Sequence, residues 1–458
     1  MKLWGGRFKE KTDPLMERFS ASINFDWVLY EEDIEGSIAH AEMLEKIGIL
    51  SQEEKESIIR GLGQIKKEIE NNEFKFQTEL EDIHMHIESR LIELIGDTGR
   101  KLHTARSRND QVSLDMRMFL KKRLKEIEIK MLRLLKVIIE RAINEKETLM
   151  PGYTHMQRAQ VVTFGHYILA YYFMFKRDLE RLKTIEKTID TLPLGSGAIA
   201  GSSIPLDREF VRERLGFLKV SENSMDTVSD RDFCVDTVYA MAMIMLHLSR
   251  LSEDLIIFST EEFSFISLPD SLCTGSSLMP HKKNPDSLEL IRGKSSRVLG
   301  DLFSLFTLLK GLPMTYNRDM QEDKEPLFHA LETVSNAVDI ACLCIKEMTL
   351  KKEAMKKAVY ESYMPAVEMT EYLTLKGVPF RDAHTIVGKM VGFCEDKGIK
   401  LHNMDLKDMR AFSPVFEEDV YDFIEPKNII KNRKTIGSAS QREVEKIVEK
   451  EKTYIDSF

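Results

Sequence analysis

Apolar residues recur every three or four positions through a stretch of more than forty residues, Ser107 to Met150, that contains neither glycine nor proline. Val112, Met116, Leu120, Leu124, Ile127, Met131, Leu135, Ile138 and Ala142 carry the repeat. That spacing is one face of an α-helix roughly 60 Å long at about 1.5 Å per residue. A face of that length needs partners equally long, and four further segments supply them. Val161 to Asp190 is helical in pattern with only Gly165 inside. Leu218 to Leu268 lacks Gly and Pro, and its Thr237 to Phe258 core is rich in Met, Leu and Ile. Asp286 to Leu309 and Pro326 to Tyr360 complete the set. Together they predict an extended helical bundle over residues 106–357. The Met-rich stripe reads as core packing rather than a cofactor box, and Lys121-Lys122-Arg123 as a solvated face.

Gly, Pro and Ser gather between these segments, at Pro151–His155, Leu192–Pro205, Thr274–Pro285 and Gly311–Asp323. Residues 1–105 and 358–458 show shorter helical patterns with Gly breaks and read as smaller end domains around the 106–357 bundle. There is little β alternation, so the chain is expected to be all-α. Gly195-Ser-Gly197-Ala-Ile-Ala-Gly201 has the wrong third spacing for a dinucleotide fingerprint and follows no strand-like run. A P-loop and a Gly-x-Ser-x-Gly elbow are also missing, which removes the enzyme classes they announce.

Composition narrows the rest. The 458 residues include 66 Lys+Arg against 75 Asp+Glu, a net charge of −9, with 43% hydrophobic and 31% charged residues. That balance suits a globular chain with large cores and disfavours nucleic acid or an anionic membrane as partner. The opening Met1–Phe8 has no apolar signal-peptide stretch, and no apolar run reaches a membrane span, so a cytoplasmic chain is expected. Cys234, Cys273, Cys342, Cys344 and Cys394 are scattered and read as small core side chains. Cys342 and Cys344 diverge by about 200° on a helix, and no Cys or His spacing reads as a zinc site.

The chemistry concentrates at the helix junctions. Thr104-Ala-Arg106-Ser107-Arg108-Asn109-Asp110-Gln111 opens the longest helix. One Ser, Asn or Asp would cap it, but two Arg beside free N–H groups also make a carboxylate receptor. Pro151-Gly-Tyr-Thr154-His155-Met-Gln157 offers a histidine able to move a proton near neutral pH if it faces a cleft; a structural histidine is the alternative. Thr274-Gly-Ser276-Ser-Leu-Met-Pro-His281-Lys282-Lys283-Asn284 is a flexible loop with hydroxyls, lysines and an amide. It is either a plain solvated loop or a cover for an anionic substrate. Tyr316-Asn-Arg-Asp-Met-Gln321-Glu-Asp-Lys324 precedes the last long helix.

The 275–284 loop resembles the signature loop of the fumarase/aspartase superfamily, lyases that release fumarate by β-elimination. Trp4-Gly-Gly-Arg-Phe8, Thr104–Gln111, Pro151–Gln157 and Tyr316–Lys324 resemble the argininosuccinate lyase family in particular. Looser likeness returns at Arg381–Gly388 and Gly437–Ser440. His281 stands where many members carry Gln. The resemblance implies a three-domain, all-α fold whose central five long helices form a twenty-helix core in a homotetramer, with active sites shared between subunits. It implies reversible cleavage of argininosuccinate to arginine and fumarate, in arginine biosynthesis, without a cofactor or metal.

Roles follow from the same resemblance. Ser276 would be the base that removes the proton, its alkoxide stabilised by Lys282, which also steadies the aci-carboxylate carbanion. His155 would protonate the departing guanidino nitrogen, oriented by Glu289. The reverse assignment of Ser276 and His155 fits the same residues. Substrate contacts would fall to Ser22, Ser107, Arg108, Asn109, Thr154, Asn284, Tyr316, Gln321 and Lys324, donors suited to a ligand with three carboxylates. The rivals are a sister lyase acting on adenylosuccinate, malate or aspartate, and a non-catalytic protein of the same fold, as in lens delta-crystallins. The joint presence of His155, Ser276, Lys282 and Asn284 weighs against the second.

Overall fold

The computed structural model describes residues 10–458; the Trp4–Phe8 motif lies outside them. Residues 1–128, 180–243 and 296–334 form one compact unit, and 129–179, 244–295 and 335–458 a second. Each of the five long helices contributes a stretch to both.

The first unit begins with helices α1 (Tyr30–Lys46), α2 (Gln52–Glu70) and α3 (Ile83–Ile95). Ser51 and Glu54 cap α2 reciprocally, and the Asp82 carboxylate caps α3 by accepting from Met85 N at 2.7 Å. The longest helix, α4, runs Arg108–Asn144. All nine apolar positions that define its face are buried, with Leu120, Leu124 and Met131 fully so. Each such side chain contributes about 1.5–3 kcal/mol relative to exposure. Inside this unit the Arg117 guanidinium lies 4.2 Å from the Phe233 ring centroid, and Phe119 meets Phe328 edge-on at 5.0 Å. Lys121 departs from the expected solvated face: its ammonium bonds Asp190 and the Gly216 carbonyl, at 2.5 and 2.7 Å.

In the second unit, strands β1 (Leu149–Thr154) and β2 (Gln157–Thr163) form an antiparallel hairpin that leads into α5 (Phe164–Ile189). Gly165 is required there. Its N–H donates to Glu145 O, and a Cβ would stand 2.4 Å from Ala142 O. Helix α6 (Asp232–Ser259) meets α5 through His247–Asp178 at 2.6 Å and Tyr171–Asp254 at 2.6 Å. A two-residue ladder, β3 (Thr274–Gly275) with β4 (Lys283–Asn284), closes the base of the signature loop before α7 (Asp286–Leu309). Helix α8 (Lys324–Glu347) follows, and Lys130 on α4 bonds Asp339 on it at 2.5 Å. The 318–347 stretch is long and apolar enough to cross a membrane, yet 56% of its most apolar window is buried within the chain.

Helices α9 (Lys352–Tyr360), α10 (Ala366–Leu375) and α11 (Phe380–Lys397) come next. Met369, Leu373, Met390, Phe416 and Val420 belong to a buried cluster there, with Tyr372 stacked on Phe416. The last helix, α12 (Gln441–Asp456), docks through Glu451, which accepts from Tyr172 Oη at 2.8 Å and Lys176 Nζ at 2.6 Å.

The structure is predominantly helical, as the pattern predicts, but it trims four segments, the one expected over 218–268 giving a long helix only at Asp232–Ser259. The expected 107–150 helix ends at Asn144, and 161–163 is strand rather than helix. There β-branched Val161, Val162 and Thr163 pair with Pro151, Met150 and Leu149. The 326–360 segment breaks at 348–351, where Thr349–Leu350 pairs with Ile266–Ser267 and Arg141 takes the Met348 carbonyl at 2.6 Å. The five cysteines are free, and all but Cys273 are buried.

Candidate active site

In the first unit, six of the nine expected substrate contacts line one cavity of about 560 Å³: Ser22, Arg108, Asn109, Tyr316, Gln321 and Lys324. Ser22 is buried and donates its hydroxyl proton to Asp26 at 2.5 Å; Asp26 Oδ1 also accepts from Ile83 N. Burial pushes the Asp26 carboxyl up. Arg108 pairs with Asp82 at 3.2 Å and donates to Gln111 Oε1 at 2.8 Å. Burial opposes its charge, but Asp82, Asp33 and Glu88 outweigh that and hold its pKa above the ordinary value. Lys324, nearly fully buried, is anchored to Asp323 at 3.0 Å. Gln321 reaches the Ser20 carbonyl. The cavity wall therefore carries cationic and amide donors of the kind that bind a carboxylate, alongside the carboxylates of Asp26, Glu81, Asp82 and Glu88.

Ser107 is not on that wall. Its hydroxyl accepts from Asn109 N at 3.2 Å, and its own N–H goes to Asp110. The other Arg of this cluster, Arg106, is buried and bonded to Ser37 Oγ, so the cluster gives the cavity wall one guanidinium, that of Arg108, instead of two. The 195–201 glycines, rejected as a dinucleotide loop, clasp the chain's own carboxylate: Gly195 N and Gly197 N donate to Asp110 Oδ2.

Sequence reasoning missed Arg318, Asp82 and His84 on the cavity wall. Arg318 sits inside the quoted Tyr316–Lys324 motif and bonds Glu81 and the Ser20 carbonyl, each at 2.7 Å. Glu81-Asp82-Ile83-His84, acids and an imidazole at a helix start, was the available signal. His84 Nδ1 stands 3.2 Å from both Asp33 Oδ1 and Asp115 Oδ2, all fully buried. Among the described residues these three form the group whose ligand atoms lie close enough to hold a metal ion. Burial works against the charged ring, but the Asp115 and Asp33 carboxylates raise His84 to about 10.

In the second unit, His155 and Met156 form the two-residue tip of the β1–β2 hairpin, closed by Thr154 against Gln157. Both tip residues have positive φ, 53° and 57°, as a type I′ turn demands. Thr154 and His155 are exposed. One pair back from the turn's closing residues, Tyr153 packs its ring 5.5 Å from Phe263.

The signature loop lies in the same unit. Ser276 Oγ accepts from Leu278 N at 3.3 Å and Met279 N at 3.0 Å, and among the described residues it donates to no acceptor. Lys283 ties the loop base to the Leu268 carbonyl and Asp270, each at 2.6 Å. Asn284 reaches Thr274 Oγ1 at 3.5 Å. Lys282 and Glu289 are exposed, and among the described residues Glu289 makes no hydrogen bond to His155. Thus Ser276, Lys282 and Asn284 share one small loop, while His155 and Thr154 share a hairpin.

Known proteins resemble this chain along nearly its whole length. A family profile described as Lyase matches residues 6–300, and one described as Argininosuccinate lyase C-terminal matches 363–431. The chain is 50% identical over 452 residues to an argininosuccinate lyase of Desulforamulus reducens, covering 99% of this chain and 98% of that one. It is 49% identical over 451 residues to one of Bacillus mycoides, covering 98% of each. Among solved structures, an EDDS lyase in complex with formate superposes with a TM-score of 0.86 at 26% identity, over 98% of this chain and 91% of that one. Identity at this level along nearly the whole length leaves one conclusion: the chain belongs to the argininosuccinate lyase family.

Proposed function

We propose that this chain catalyses the reversible β-elimination of argininosuccinate to arginine and fumarate, a carbon–nitrogen lyase reaction in arginine biosynthesis, in the cytoplasm and without a cofactor. One observation carries the reading: the Ser276 oxygen accepts two backbone N–H bonds and keeps its own proton uncommitted. Such N–H dipoles stabilise an alkoxide, the form in which an alcohol becomes a competent base. Removing a proton beside a carboxylate leaves a dianionic aci-carboxylate, so a cation is needed close by. Lys282, six residues on, is the candidate. His155 at its hairpin tip is the acid for the leaving nitrogen, with Glu289 orienting it in the assembled enzyme.

The unit 1 cavity, with Arg108, Lys324, Tyr316, Gln321, Asn109 and Ser22, is the binding set; Ser107, Thr154 and Asn284 add further donors. Each active site gathers these groups from different subunits of a homotetramer. Exposed apolar side chains on α7 support that assembly: Leu290, Leu299, Phe303 and Phe306 are each more than half exposed in the isolated chain. The three-part organisation, 1–105, 106–357 and 358–458, is kept in this reading, and the separate Tyr372–Phe416 core supports its last part.

The test is ultraviolet detection of fumarate from purified protein given argininosuccinate, with adenylosuccinate, malate and aspartate in parallel. Fumarate from argininosuccinate alone is expected. Preference for another substrate, or none released at all, would overturn the reading.

A further inference from the structure

The hairpin that carries His155 has a weakly held tip. The ladder slips between Gly152 and Tyr153, so that Gly152 pairs with Gln160 but Tyr153 with Arg158, leaving Ala159 as a bulge. Beyond the bulge only two pairs remain, Tyr153 with Arg158 and Thr154 with Gln157. Residues 154–158 are exposed, and both tip residues sit in the left-handed region that side chains disfavour. A cavity of about 790 Å³ runs beside this tip, bounded by Met156, Gln157 and Arg158 and by residues of the 354–367 segment. Apolar packing therefore does not fix the tip from that side.

One side chain bridges the gap. Arg158 donates from Nη1 to the Ala358 carbonyl at 2.9 Å and the Glu361 carbonyl at 3.2 Å. Those oxygens belong to the last turn of α9 and its C-cap, where helical carbonyls lack intrahelical partners and carry the negative end of the helix dipole. The two N–H groups of one planar, permanently charged terminal nitrogen satisfy both oxygens at once.

We infer that Arg158 is a positioning residue for His155: by anchoring the hairpin beyond its bulge to the C-terminal end of α9, it sets where the imidazole stands during elimination. The inference deepens the proposed function and rests on it for the role of His155. A general acid displaced by about 1 Å loses on the order of 10²-fold in rate, whereas substrate contacts on the other elements are untouched. The anchoring bond would therefore be read in kcat rather than KM.

The experiment compares wild type with Arg158→Met and Arg158→Lys, measuring fumarate release, thermal unfolding and hydrogen exchange of the 149–163 peptide. In Arg158→Met we expect kcat to fall by roughly 10- to 100-fold, with KM within about threefold of wild type. Exchange at 151–160 should quicken while the rest of the molecule is unchanged. Arg158→Lys should recover a substantial part of kcat, and added guanidinium should partly rescue Arg158→Met. Wild-type kcat in Arg158→Met overturns the inference, as does a loss matched by an equal loss of folded enzyme. So does unaltered exchange at the hairpin. An inactive wild type would count against the proposed reaction, whereas the exchange comparison would still decide whether Arg158 holds the tip.

Discussion

Arg231 Nε stands 2.5 Å from Asp323 Oδ2, with both side chains fully buried, and the other oxygen of the same carboxylate holds Lys324 at 3.0 Å. Asp323 thus links a buried arginine to the ammonium on the cavity wall. Burial alone would raise its carboxyl, but Lys324 and Arg231 overcome that and hold it below the usual carboxylate range. Replacing Asp323 by Asn keeps the shape and strands two buried cations. Breaking a buried pair in this way costs about 3–5 kcal/mol. Urea unfolding of Asp323→Asn should show a loss of that order, and KM should rise because Lys324 loses its anchor. Wild-type stability together with wild-type KM would show that the pair does neither job.

The imidazolium of His84 predicts how stability depends on pH. Its folded pKa of about 10 lies above the unfolded value near 6.5. The stabilisation it supplies is therefore fully present below pH 6.5 and is lost as pH climbs towards 10. Asp115, pushed up by burial to about 7, loses its contribution between about pH 4 and 7, below most of that window, while Asp33, drawn down by His84, keeps its contribution throughout it. Unfolding followed between pH 6 and 10 should weaken by a few kcal/mol, on the order of 3. His84→Gln should be less stable at neutral pH and much flatter across that range. A mutant with the wild-type slope would mean that other groups set the alkaline limb.

How much of this was legible in the residues divides along physical lines. The α4 face was plain because one helical period, unbroken by Gly or Pro, persisted from Val112 to Ala142, and all of it is buried. Asp286–Leu309 emerged with the same ends in structure as in pattern. The β1–β2 hairpin did not, because Gly152, Pro151 and Gln157 are poor strand formers. Its pairing depends on a bulge and a two-residue turn that no local alternation announces. The acids around His84 were missed for another reason: they lie on three separate helices, and only folding brings Asp33, His84 and Asp115 together. Ser276 and Lys282 were found through their motif, but the two N–H bonds to Ser276 are a property of the turn.

If Ser276 is the base, Ser276→Ala should lower kcat by at least roughly 10²–10⁴-fold and leave substrate binding largely intact. Lys282→Met should also act on kcat, since its charge matters most when the carbanion forms. Steady-state kinetics with a separate binding measurement distinguishes these cases. Near-normal turnover in Ser276→Ala places the base elsewhere, and an effect of Lys282→Met on KM alone reduces Lys282 to a binding residue.

Shared sites make a separate demand. Two inactive variants, His155→Asn and Ser276→Ala, denatured together and refolded as mixed tetramers, should regain part of the activity because some sites collect intact residues from different chains. Refolding each variant alone is the control. No recovery in tetramers shown to contain both chains would argue that each site draws its chemistry from one subunit.

The strained tip offers a test that separates stability from activity. Met156 is 57% exposed with φ of 57°, so its side chain contributes little burial while its backbone occupies a conformation costing about 1–2 kcal/mol. Glycine removes that cost but loses about 0.5–1 kcal/mol of chain entropy on folding. Met156→Gly should therefore be stabilised slightly or left unchanged, yet turn over more slowly, because the peptide beside His155 gains freedom. Asparagine also tolerates the left-handed region without that freedom, so Met156→Asn should be at least as stable and keep kcat closer to wild type. The ordering of the two variants in kcat is the decisive quantity. If glycine and asparagine give equal rates, the rigidity of the turn has no part in presenting the imidazole, and the strain at 155–156 is only a consequence of closing a two-residue hairpin.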